Sequence, residues 1–162
     1  MELLVGDTLN ISGEEYIICE FVDHDNLYKS VRALKLNTDE KYLLVLVTCH
    51  YGAGWSSWNP KRLKHRLLTD SKLIYDVAHR EIQLENDDKN IGSNIRVNET
   101  YYNNLLGITD DNDTDTTKES IYYEGLKSCK VAAIKEGTFF IIEEYDGLEK
   151  IIVFDEKKWF HA

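Results

Sequence analysis

Tyr42-Leu43-Leu44-Val45-Leu46-Val47-Thr48-Cys49 is an eight-residue run in which no charged residue alternates with the apolar ones. A strand with one wet face would alternate, so this run reads as a strand buried on both faces. Such a strand belongs in the middle of a sheet. Upstream, Leu9 to Ile11 and Glu15 to Phe21 flank Ser12-Gly13-Glu14, which predicts a hairpin with Gly13 at positive φ. Asp23-His24-Asp25-Asn26 and Asn37-Thr38-Asp39-Glu40 are turn clusters on either side of a strand near Val31 to Leu36. Residues 1–50 therefore predict a four-stranded antiparallel meander.

Downstream of the run, Asn59 and Pro60 suit the start of a short helix ending near Leu68. Asp70 or Ser71 starts a second, and the spacing of Leu73, Ile74, Val77, Ala78, Ile82 and Leu84 carries it to about Glu85. Asn86 to Asn90 breaks the pattern. Asn98 as cap and Gly107 as stop bound a third helix. Residues 108–119, with Asp110 to Thr117 wholly polar, read as a mobile acidic loop. Lys130 to Ile134, Thr138 to Tyr145 and Glu149 to Phe154 are strands, and Asp146-Gly147 is a strong hairpin turn. The tail from Lys157 to Ala162 carries Trp159 and Phe160 and is expected to dock. The expected architecture is a single α+β domain over 1–162: a mainly antiparallel sheet, from the meander and strands in 129–155, with two or three helices from 59–107 packed on it.

Composition narrows the function classes. The formal net charge is -10, which repels phosphate backbones and makes nucleic acid an unfavoured partner. Residues 61–80 are the exception, with 6 basic and 2 acidic side chains. The run Lys61 to Arg66 reads either as a nucleic-acid patch or as a solvated helix face. Cys19, Cys49 and Cys129 are widely spaced and odd in number, which predicts free thiols in a reducing compartment. No leader-like start and no run of membrane-spanning length is present in the sequence, so an intracellular or virion location is expected, with no membrane partner. His24, His65 and His79 lack ligand spacing, and Asp111, Asp113 and Asp115 open a calcium-like loop that Thr116 and Tyr122 do not complete. No metal and no cofactor are expected. Cys49 and His50 point to opposite strand faces, which is poor geometry for a thiol–imidazole pair.

Two segments carry the candidate site. The first is Tyr51-Gly52-Ala53-Gly54-Trp55-Ser56-Ser57-Trp58-Asn59, with Arg62 just beyond. Gly52 and Gly54 permit a sharp turn, Trp55 and Trp58 offer stacking surfaces, and Ser56, Ser57 and the following helix start offer donors to a phosphate or carboxylate. The plainer alternative is that both tryptophans plug the edge of the core. The second segment is Glu143-Glu144-Tyr145-Asp146-Gly147-Leu148-Glu149, where paired carboxylates either serve acid–base chemistry or form a solvated hairpin tip.

Taken with Glu136-Gly137-Thr138, these two segments resemble a small family of proteins from bacteriophages and large DNA viruses. That family has a Tyr-Gly-Ala-Gly-Trp-Ser-Thr-Trp-Asn loop and a Glu-Gly-Thr…Glu-Tyr-Asp-Gly hairpin; Ser57 stands here in place of the threonine. The likeness covers about twenty residues and implies a viral origin rather than a mechanism. It also implies that the loop and Glu144, Tyr145 and Asp146 belong to one feature. Three functional readings follow. The first is a viral accessory binding protein for a small anionic ligand or a host protein, in the manner of a defence antagonist. The second is a small hydrolase or transferase acting on a nucleotide or carbohydrate. The third is an oligomeric virion component.

Overall fold

The doubly apolar run forms β4 (Lys41–Thr48), and it is a central strand. The computed structural model describes residues 1–85, 95–108 and 120–154. Within them β1 (Thr8–Ile11), β2 (Glu14–His24), β3 (Tyr28–Lys35), β4 and β5 (Cys129–Lys135) make an antiparallel sheet in sequence order. The fold is α+β, as the residue pattern predicts. The expected break at Asn86 to Asn90, the Asp110–Thr117 loop with its calcium-like aspartates and the docked tail lie outside the described residues.

Alternation along β4 assigns its two faces to two cores. Leu44 and Leu46 pack with Val31, Ala33, Trp55, Leu73 and Ile74. Val45 and Val47 pack with Ile134 and, from the C-terminal strands, Phe140, Ile142 and Ile151. Burying both faces removes four large aliphatic side chains from water, each contributing about 1.5–3 kcal/mol.

One correction concerns what covers the second face. The sheet does not incorporate all the C-terminal strands: β6 (Phe139–Tyr145) and β7 (Leu148–Phe154) pair only with each other, as a separate ribbon. The turn Asp146-Gly147 joins them with both residues at positive φ, as a tight hairpin requires. The inward face of the ribbon lies over β4, with the helices on the other side.

The helices are α1 (Lys64–Thr69), α2 (Ser71–Ala78) and α3 (Glu99–Leu105). β3 and β4 pair only from Arg32 to Leu34 and then part. α1 packs against both strands in that gap. Its neighbouring residues Leu67 and Leu68 consequently fall into different cores. Asp70 caps α2 by accepting the Lys72 amide at 2.9 Å, and Asn98 caps α3 by accepting that of Tyr101 at 3.0 Å.

Two helix boundaries differ from expectation. Asn59 is not a cap: it is extended and buried, and its side-chain Nδ2 donates to the carbonyls of Trp55 and Tyr122. Lys61–Leu63 then form a 3₁₀ turn before α1. α2 stops at Ala78, short of Glu85, because Arg80 takes φ 54°. The amides of Arg80 and Glu81 bond back to Val77 and Asp76, a Schellman ending without its usual glycine. Ile82 and Leu84 thus lie in an extended segment, with Leu84 bridged to Val97.

Candidate functional site

The loop after β4 and the tip of the β6–β7 hairpin meet. The Gly52 amide donates to the Asp146 carbonyl at 2.6 Å. Gly147, at φ 91°, lies so close to Gly52 and Ala53 that a Cβ would overlap their backbone. Thr48, at the end of β4, donates its hydroxyl to the Gly147 carbonyl. The two segments that the sequence pairs are therefore one junction.

At its centre is Glu149, 4% exposed. One carboxylate oxygen accepts the amides of Trp55 and Ser57, each at 3.0 Å, together with the Ser57 hydroxyl. The other accepts the Thr48 amide at 2.9 Å. Four donors on one buried carboxylate satisfy it as a full set of lone pairs requires. The donors expected to hold an external phosphate or carboxylate already hold this internal one. Sequence reasoning places Glu149 in the acidic hairpin but not in the site. The available signal was period two: Glu149 shares its strand face with Ile151, and a carboxylate on an apolar face needs internal donors.

The two tryptophans take different roles. Trp55 is fully buried; its indole donates to the Leu67 carbonyl at 2.8 Å, and its ring stands 6.3 Å from Tyr123 in the main core. That corrects its expected role as a stacking surface, because no ring face is open. Ser56 is buried beside it. Trp58 is 40% exposed and lies across Gly54, where a Cβ would stand 2.5 Å from its Cδ1. Its ring also stands beside Tyr122, with centroids 5.6 Å apart. Tyr51 and Tyr145 are exposed and meet edge to face at 6.4 Å. Glu144 accepts the Gly147 amide at 2.8 Å. That bond, with a further one from the Trp58 side chain, holds its carboxyl below the usual range. A general acid or base needs the opposite shift. Arg62 sits exposed on the 3₁₀ turn, and among the described residues no hydrogen bond or ion pair joins it to the hairpin.

What stays at the surface is two aromatic pairs, Tyr51 with Tyr145 and Trp58 with Tyr122, with Glu144 bonded to Trp58 and Asp146 exposed at the turn; these four rings are the aromatic shelf. The shelf can hold a cation or a planar group, but its donors for an anion are already engaged.

A second polar cluster forms where α1 fills the gap beside β3. His24 stacks on Tyr28 at 4.5 Å and bonds Ser30 at 2.9 Å. His65 shares a hydrogen bond with the Tyr28 hydroxyl and lies 5.3 Å from His24. Arg66 stands over the Tyr28 ring, donates to the carbonyls of Leu27 and Leu106, and faces buried Asp70 at 3.6 Å. The basic run is thus split: Lys61, Arg62 and Lys64 are exposed, and Arg66 is an internal staple. Burial raises the Asp70 carboxyl, and burial with His24 nearby lowers the His65 imidazole. No sequence pattern links His24 with His65, because they are far apart along the chain.

Cys49 donates its thiol to the Ser128 carbonyl at 3.4 Å, while His50 is exposed. Among the described residues no group of His, Cys, Asp and Glu could hold a metal, and no helix is long and apolar enough to cross a membrane. Comparison with known proteins finds no family model, no curated protein and no solved structure that matches the chain.

Proposed function

We propose that the chain is a binding protein whose contact surface is the Tyr51–Trp58–Tyr122–Tyr145 shelf and whose partner is a basic segment of another protein. One observation carries this reading: Glu149 occupies the amides of Trp55 and Ser57, so what the junction leaves exposed is aromatic and acidic. Arginine and lysine side chains match such a surface through cation–π contact and charge-assisted bonds to Glu144 and Asp146. The formal charge of -10 adds long-range attraction to the same partner. The same features weigh against an anionic nucleotide. The lowered Glu144 carboxyl weighs against acid–base catalysis at the hairpin tip.

For a viral accessory protein, this supports the version in which an acidic face covers a basic host surface. The test is a fluorescence titration with an arginine- and lysine-rich peptide beside a panel of mono-, di- and cyclic nucleotides. The expected result is saturable, salt-sensitive quenching by the peptide, weakened at least about tenfold in Trp58→Ala. Saturable binding of a nucleotide, or a flat response to the peptide, overturns the proposal.

A further inference from the structure

The ribbon that covers β4 has a second face, which points outward. Directly paired residues share a face. The outward set therefore comprises Phe139, Ile141, Glu143 and Tyr145 of β6 with Leu148, Lys150, Ile152 and Phe154 of β7. Phe139 is 60% exposed, Ile141 50% and Tyr145 77%. Of the inward set, Phe140, Ile142 and Ile151 are packed on the second core, and Val153 at its end is 59% exposed. Large exposed apolar side chains in sequence on one strand face mark a contact surface rather than scattered surface residues.

The charges on this face say what fits it. It carries one acid and one base, Glu143 and Lys150, directly opposite each other. Consider two such ribbons face to face, related by a two-fold axis parallel to the strands. That axis lays β6 of one copy over β7 of the other, with positions along the strands unchanged. Glu143 then stands over Lys150 of the second copy, and Lys150 over its Glu143. Ile141 stands over Ile152, and Tyr145 over Leu148. Every facing pair is apolar on apolar or acid on base. A two-fold axis perpendicular to the strands and passing at Glu143 would set Glu143 against Glu143 and is disfavoured. The face is self-complementary in one orientation, as an isologous interface must be, and that orientation is the aligned packing natural to twisted sheets. We infer that this outer ribbon face is a homodimer interface, in which two copies stack β6 over β7 and exchange two Glu143–Lys150 ion pairs. The inference does not depend on the basic-partner reading, because Tyr145 is the one shelf residue on this face, at its end, and the charge exchange is read at Glu143 and Lys150.

The ribbon is small. Seven residues span about 23 Å, and two strands span about 10 Å. The face covers about 230 Å² of each copy, less than a stable interface buries, so a weak, concentration-dependent dimer is expected rather than a permanent one.

Sedimentation velocity of the full chain, from about 10 μM to about 1 mM, reads this directly. The expected result is a monomer–dimer equilibrium. Glu143→Lys alone and Lys150→Glu alone should each raise the dissociation constant at least about tenfold. The double exchange should restore it, because the two-fold axis pairs the swapped charges again. Ile141→Thr should also weaken the dimer while leaving the far-ultraviolet circular dichroism unchanged. A monomer at every concentration overturns the inference, including the case in which residues 155–162 cover the face. So does a dimer that is indifferent to both single charge changes and to Ile141→Thr. A rescue by the double exchange excludes coverage by the chain's own tail or by a different protein.

Discussion

The Glu149 carboxylate accepts the Ser57 amide at 3.0 Å, joining positions 92 residues apart. It also accepts the Trp55 and Thr48 amides, so a single side chain fixes the start of the loop, the turn that follows it and the end of β4. Glu149→Ala would leave four donors without an acceptor, two of them buried and the two of Ser57 half-buried. The expected loss is about 3–5 kcal/mol by urea denaturation. Glu149→Gln keeps the shape but turns an amino group toward donors, and should lose about 2 kcal/mol. Ser57→Thr keeps the hydroxyl and should be nearly neutral. A Glu149→Ala protein as stable as the parent would show that the clamp does not hold the junction.

Gly147 and Gly137 make a matched pair. Both sit in tight turns at positive φ, 91° in the β6–β7 hairpin and 85° in the turn that leads from β5 to β6. A Cβ on Gly137 meets nothing within 4 Å, whereas one on Gly147 meets the Ala53 backbone. Gly137→Ala should cost about 1–2 kcal/mol, from the left-handed conformation alone. Gly147→Ala should cost at least about 2 kcal/mol more, because backbone cannot move aside as a side-chain tip can. Equal melting temperatures for the two variants would remove the close approach of the hairpin to the loop.

Trp55 and Trp58 should separate cleanly by spectroscopy. Trp55→Phe removes the blue-shifted, quencher-resistant emission and leaves the Leu67 carbonyl unpaired, for a loss of about 2–3 kcal/mol. Trp58→Phe removes emission that is accessible to acrylamide, and stability changes by less than about 1 kcal/mol. Difference spectra against the parent isolate each indole. Reversal of the two accessibilities would exclude the shelf.

What the sequence showed of this arrangement follows the range of the forces involved. The β4 run, the Asp146-Gly147 turn and the Asn98 and Gly107 ends of α3 are set by near neighbours, and each is where its residues predict. The end of α2 has the same Schellman bonding as α3, but with Arg80 where Gly107 stands in the other helix. With no glycine to mark it, the apolar spacing of Ile82 and Leu84 runs on misleadingly. Asn59 has the composition of a cap, yet its side chain goes to Tyr122 instead. The loop–hairpin pairing was legible only through the motif resemblance. The internal anion, Glu149, was not, because its donors come from amides that no residue type announces. The ribbon's separation from the sheet was hidden as well, since β6 and β7 are apolar enough for either arrangement.

The His24–Tyr28–His65 cluster predicts a pH dependence with a definite sign. Burial, then the nearby His24, lowers the His65 imidazole from its usual value. The folded protein therefore binds this proton less readily than the unfolded chain. The stabilisation is fully present above the unfolded pKa, near 6.5, and is lost as pH falls through that value toward the lower folded one. His65 remains partly open to solvent, so the effect is modest. Other groups face it: Tyr28 and His24 from the β2–β3 hairpin, and Arg66 on α1, with Asp70 beyond. Asp70 has the opposite sign, because burial raises its carboxyl and acid relieves it. His65→Gln retains hydrogen bonding to Tyr28 without a titratable group, and the Asp70 contribution cancels between the two proteins. Between about pH 7.5 and about pH 5.5, the parent should lose more unfolding free energy than His65→Gln. Parallel curves would mean that α1 and the hairpin do not bury this histidine together.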